Sequence, residues 1–111
     1  MIENDRYTYR VTWLEKDNEY VGLCVEFPGL SWLESTPEEA LEGIRQVVAD
    51  VVADLESNGE SVPDPIAMKQ FSGKFVVRIP PELHRRLALE AAEAGISLNR
   101  LTSAKLSKQE A

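Results

Sequence analysis

The sequence predicts an α+β chain of two modules in series, β-β-β-α followed by β-α-α. Three observations predict it. Tyr7, Tyr9, Val11 and Trp13 alternate with Thr8, Arg10 and Thr12, and a period of two marks a half-buried strand. Thr36-Pro37-Glu38-Glu39 carries the signals of a helix start. The charge also changes sign along the chain. Residues 1–70 hold five basic against fifteen acidic residues, residues 71–111 seven basic against four acidic, within a formal net of −7. An acidic module beside a basic one implies two different partners.

The bulk numbers exclude several classes. A chain of 111 residues with 43% hydrophobic and 28% charged residues suits one domain or two very small ones. No run approaches the roughly 20 apolar residues of a membrane span, and MIENDRYTYR lacks the apolar core of a signal peptide. The single cysteine, Cys24, rules out a disulfide framework and fits a reducing cytoplasm, the expected location. One Cys and one His cannot assemble a Cys/His zinc site. No metal and no cofactor is expected.

In the first module the strand at Tyr7–Trp13 is followed by a turn at Asp17-Asn18. The apolar run Tyr20–Phe27 follows, with the length and β-branched content of a strand covered on both faces. Pro28-Gly29 turns the chain into a shorter strand at Leu30–Glu34. Thr36 then caps a helix, Pro37 stands where its missing N–H costs nothing, and Glu39 can close a capping box. Leu41, Ile44, Val48, Val51, Val52 and Leu55 recur at steps of three and four, with Glu42, Arg45, Gln46 and Asp50 opposite, and Asn58-Gly59 supplies the stop. The chemistry is thin. Glu26, Glu34, Asp50 and Asp54 could in principle hold a divalent cation, but Asp50 and Asp54 share the polar face of a helix, where such residues are usually just solvated. Cys24 lies in an apolar strand, the setting of a small buried hydrophobe rather than a nucleophile. No catalytic residue is assigned.

Gly59, Pro63 and Pro65 interrupt regular structure, placing a linker at about 58–71, although Val62 and Ile66 can still pack on the first module. The domain limits are therefore set at 1–66, a linker at 67–72 and a second domain at 73–111.

Gly73–Ile79 has Phe75, Val77 and Ile79 on one side and Lys74, Val76 and Arg78 on the other, the pattern of a strand. Pro81 opens a helix carrying Leu83, Leu87, Ala91 and Ala94, Gly95 ends it, and Ser97 caps a second helix with Leu98 and Leu101. His84 reads as a helix-face residue rather than a ligand. Below about 40 residues a unit rarely stabilises itself, and a lone strand leaves its backbone groups unpaired. A symmetric dimer resolves both, its two strands pairing antiparallel over four helices. The ribbon then presents Lys74, Val76 and Arg78 twice, in the shape of a DNA major-groove reader. The amides at Ser97, Leu98 and Asn99 offer a phosphate site. The competing reading is a dimerisation clasp without DNA contact.

Two resemblances go with these motifs. The run YVGLCVEFPGLSWLESTPEEA (Tyr20–Ala40), with the exit Gly59, Glu60, Pro63 and Pro65, resembles the signature of the HicB antitoxin family over roughly residues 7–66. It departs from that signature at Asp17-Asn18-Glu19, where glycines are frequent, and at Ser31-Trp32. GKFVVRIPPELHRRLALEAAEAGISLNRL resembles the ribbon-helix-helix domain attached to that family. The first resemblance implies a reduced RNase-H-like fold without catalytic carboxylates, binding a HicA-like toxin, an mRNA interferase with a double-stranded-RNA-binding-like fold. The second implies base-facing Lys74, Val76 and Arg78, backbone anchors at Ser97, Leu98 and Asn99, and repression of the operon. By position near the Pro28-Gly29 corner, Glu26, Ser31 and Trp32 are the toxin-contact candidates. The expected protein is a non-enzymatic, dimeric antitoxin with operator DNA and a toxin as partners and no membrane. The alternatives are a stand-alone regulator with a ligand-binding or oligomerising N-terminal domain, and a nuclease retaining RNase-H-like activity.

Overall fold

The computed structural model describes residues 2–108. The chain divides into two units, residues 1–72 and residues 73–111. The first holds an antiparallel sheet of three strands, β1 (Tyr9–Leu14), β2 (Glu19–Cys24) and β3 (Ser31–Glu34), in the order β1-β2-β3, followed by α1 (Pro37–Ser57). The second holds α2 (Pro81–Ala94) and α3 (Leu98–Leu106). Short 3-10 turns at Ile2–Arg6 and Ile66–Met68 complete the described elements. The architecture is α+β.

The sheet follows the period-two pattern, with shifted ends. Strand β1 begins at Tyr9, not Tyr7, because Tyr7 turns into the core and its hydroxyl donates to the Pro63 carbonyl at 2.6 Å. Strand β2 stops at Cys24, because Phe27 folds back with its amide on the Cys24 carbonyl. The register pairs Val11 with Gly22 and Gly22 with Trp32. Asn18 takes the left-handed conformation (φ 53°) in the β1–β2 turn, which asparagine tolerates. Strand β2 is central but not covered on both faces as its apolar run suggests. Among the described elements, only α1 packs on the sheet.

Helix α1 starts where Thr36 caps it. The Thr36 hydroxyl accepts from the Glu39 amide at 3.2 Å, and the Glu39 carboxylate accepts from that hydroxyl rather than from the Thr36 amide. At the other end, the Gly59 and Glu60 amides bond back to Glu56 and Leu55. The buried stripe of α1 is Ala40, Ile44, Val48 and Val52, while Leu41 is exposed. The small residue replaces the predicted large one for a steric reason. Gly22 of β2 lies so close beneath the helix that a Cβ there would sit 2.4 Å from the Ala40 carbonyl oxygen and 2.8 Å from Ile44 Cγ2. Gly43 makes the matching approach on the β3 side, where a Cβ would meet the Trp32 ring at 1.9 Å. Ile44, Val48, Cys24, Tyr7, Phe27 and Val52 form the core, with the Tyr7 and Phe27 rings edge to face at 5.2 Å.

In the second unit, Gly95 closes α2 in the left-handed conformation, and the Ser97 hydroxyl caps α3 by accepting from the Arg100 amide at 3.0 Å. The strand expected at Gly73–Ile79 is absent. A strand exists only where a second strand supplies ladder partners, and the described residues of this unit contain none. Among the described residues its buried apolar side chains are Ala91 and Leu101, against eight in the first unit.

Overpacking a close backbone contact typically costs about 1–3 kcal/mol. Gly22→Ala should therefore lower the stability of the first unit by that amount in urea denaturation followed by tryptophan fluorescence. An unchanged midpoint would contradict the contact.

Candidate partner and nucleic-acid interfaces

The Pro28-Gly29 corner does not gather its three candidates on one surface. Glu26 is engaged within its own unit. Its carboxylate accepts from the Thr8 amide at 2.9 Å, the Thr8 hydroxyl at 3.1 Å and the Ile66 amide at 2.9 Å. The Cys24 thiol also points to it, at 3.5 Å. Glu26 thus fastens the start of β1 and the segment after α1 to the end of the sheet. Ser31 and Trp32 both lie on β3, but successive residues of a strand face opposite ways. Trp32 lies over Gly43 on the helix side, and its indole N–H donates to Glu34 at 2.9 Å. Ser31 is exposed on the other face.

The other candidate chemistry of this unit is quiet. Cys24 is buried, and burial pushes its thiol pKa up, the reverse of what a nucleophile needs. Asp50 accepts from Gln46 one turn earlier on α1. Among the described residues, no group of three or more His, Cys, Asp or Glu is placed to hold a metal ion. The acidic surface is concentrated on α1, where Glu38, Glu39, Glu42, Asp50, Asp54 and Glu56 outnumber Arg45, itself paired with Asp5.

The segment after α1 is docked rather than loose. Val62 packs against the core, Tyr7 holds Pro63, and Glu26 holds the Ile66 backbone. Sequence reasoning missed Glu26 and Tyr7 as anchors. Glu26 closes an apolar run and Tyr7 reads as one more alternating residue, so neither carries a local sign of a partner about 40 or more residues away.

In the second unit Phe75 and Val76 are 74% and 88% exposed, and Val77 and Ile79 are exposed as well. Both sides of the segment therefore face outward. Val76 and Arg78 stand in solvent with Lys74 on the same alternation. An open cleft separates this segment from α3, lined by Phe75, Val77, Asn99, Thr102 and Leu106. Helices α2 and α3 pack through Ala91 and Leu101 and are joined at the surface by Lys105 and Glu90 at 3.3 Å. Ser97, Leu98 and Asn99 sit at the start of α3, where first-turn amides have no acceptor within the helix.

Comparison with protein families matches this second unit. Residues 56–106 match the HicB family. The match runs from the last turn of α1 to the end of α3. It takes in Gly59, Glu60, Pro63 and Pro65, whereas the Tyr20–Ala40 run lies outside it. No curated protein and no solved structure matched the chain. Among the described residues, no helix is long and apolar enough to cross a membrane.

Burial works to raise the Glu26 pKa, but hydrogen bonds from Ile66 and Thr8 outweigh it and hold the carboxyl below its usual range. A carboxyl depressed in the fold stabilises above its unfolded pKa, and that contribution is lost as pH falls through the folded value. Stability of the first unit should thus decline in acid below the ordinary carboxylate range. Glu26→Gln should flatten that dependence, cost about 1–2 kcal/mol and speed hydrogen exchange at Ile66. Unchanged exchange at Ile66 would remove Glu26 from this role.

Proposed function

We propose that this chain is a HicB-type antitoxin with two separate binding activities. Its acidic N-terminal unit, read as a reduced RNase-H-like domain, blocks a small basic HicA-like mRNA interferase. Its C-terminal unit pairs with a second copy into a ribbon-helix-helix that represses the operon. The observation that carries this reading is the HicB match over residues 56–106, which takes in the apolar segment Phe75–Ile79 that stands exposed in its unit. Pairing two such segments antiparallel supplies the missing ladder and buries Phe75, Val77 and Ile79 over the helices. It turns Lys74, Val76 and Arg78 outward. Arg reads guanine through N7 and O6, and a valine methyl meets thymine. The start of α3, at Ser97, Leu98 and Asn99, then receives a phosphate.

The electrostatics are consistent with the division of labour. A toxin that grips RNA phosphates carries basic surface, and an acidic partner competes for it and speeds encounter. The carboxylates of α1 suit that role better than Glu26, which is engaged within the domain. Ser31 and Trp32 remain candidate contacts on β3. No catalytic residue is part of this reading.

Arg78→Ala should weaken binding to the DNA upstream of the gene by about 5- to 150-fold, the equivalent of roughly 1–3 kcal/mol for a bidentate guanine contact. The check is a gel shift at fixed salt. Unchanged affinity would reject base reading by Arg78, while absence of any binding by the parent chain would favour the clasp alone.

A further inference from the structure

The tripeptide Trp-Leu-Glu occurs twice, at Trp13–Glu15 and Trp32–Glu34, and holds both tryptophans of the chain. Gly22, which meets Ala40 and Ile44, defines the helix side of β2. The register pairs Gly22 with Trp32, and Tyr20 with both Trp13 and Glu34. Alternation therefore puts Trp13, Tyr20, Trp32 and Glu34 on that same side. Helix α1 leaves this end of it open. Ala40, the fourth residue of α1, already stands over Gly22, and Ile44, Val48 and Val52 go on to pack with Cys24 and Phe27. Trp13 and Trp32 are left 41% and 42% exposed on the two outer strands. Tyr20 lies between them on β2 and meets the Trp13 ring edge to face at 5.0 Å.

The two tripeptides are built alike. Each indole N–H donates to the glutamate two residues on, Trp13 to Glu15 at 2.8 Å and Trp32 to Glu34 at 2.9 Å. The polar edge of each ring is thus satisfied locally, which leaves ring surface and one carboxylate oxygen for a partner. Among the described residues that second oxygen accepts no hydrogen bond, and neither glutamate forms a salt bridge. Glu38 and Glu39, exposed in the first turn of α1, add negative charge at the same end of the sheet.

We propose that each Trp-Leu-Glu receives an arginine side chain of a basic protein, the guanidinium stacking on the indole while its N–H groups meet the glutamate. This rests on the reading of the acidic unit as the binder of a basic protein, and names the groups that grip it. Arginine fits better than lysine, because a planar guanidinium stacks on an aromatic face and still offers N–H groups to a carboxylate at its edge. A protein fits better than a small cation. The indoles stand on β1 and β3, about 10 Å apart across the sheet, too far for one cation and within reach of two side chains on one surface. Nucleic acid also stacks on exposed tryptophan, but a carboxylate beside each ring repels phosphate. The charge of residues 1–70, five basic against fifteen acidic, points the same way.

The test uses the full chain labelled with nitrogen-15, whose two indole N–H signals both report on this surface. The probe is a blocked Arg-Pro-Pro-Arg peptide, since a polyproline helix sets residues three apart on one side at about 9 Å. It should move both indole signals to saturation. It should bind about threefold tighter than Lys-Pro-Pro-Lys and about tenfold tighter than a peptide with a single arginine. Glu15→Gln and Glu34→Gln keep an acceptor for the indole and so preserve the ring's position, yet each should weaken the peptide about two- to fivefold. Unmoved indole signals, equal binding of the lysine peptide, or undiminished binding by both glutamine variants would overturn the proposal. So would signals moved by a single-stranded oligothymidine and not by the peptide, which would assign the patch to nucleic acid. Signals moved by concentrating the chain, with the peptide then without effect, would assign it to a second copy instead. No toxin is needed for the titration, so a negative result removes this surface and leaves the antitoxin reading to its own tests.

Discussion

The backbone of Lys74–Ile79 has amides and carbonyls for a β-ladder, but the described residues of its unit hold no strand to complete one. The apolar side chains of this segment repeat the problem, for Phe75 and Val77 stay exposed beside α2 and α3. Hydrogen bonding and the hydrophobic effect thus make the same demand, a second strand of the same pattern. Among the described residues of this unit only Ala91 and Leu101 are buried, less core than a unit of this size usually needs to stabilise itself. The proposed DNA-reading surface follows from this one deficiency, because Lys74, Val76 and Arg78 form a face only when the segment is a strand.

The N-terminal unit has a larger core of its own by contrast. Gly22 and Gly43 let α1 settle onto the sheet, Ile44 and Val48 fill the space, and Glu26 and Tyr7 tie down the chain that leaves the helix. Attachment through Pro63 and the Ile66 amide means that the chain departs for the second unit from a fixed point rather than from the end of α1. Ile66 itself is partly exposed, so its backbone rather than its side chain makes that anchor.

Local signals were legible in the sequence. The Thr36 cap, the Asn58-Gly59 stop, Pro81 at the start of α2, Gly95 at its end and the Ser97 cap all act within a few residues, and the helices begin and end where they do. Contacts between distant residues were not. Nothing near Leu41 reveals that Ala40 lies over Gly22 and takes the core position, and nothing near Glu26 reveals Ile66. The apolar run Tyr20–Phe27 reads as a strand covered twice, since composition cannot distinguish a face covered by a helix from one left open. The strand pattern at Gly73–Ile79 finds no partner strand among the described residues of its unit.

The central claim is that residues 74–79 become a strand through association. Amide hydrogen exchange of the full chain, followed across a concentration series spanning dissociation, tests it directly. Exchange at these residues should slow as the chains associate, on alternate amides as an antiparallel pair requires. Rapid exchange along the whole segment, at concentrations where the chain is fully associated, would contradict the account.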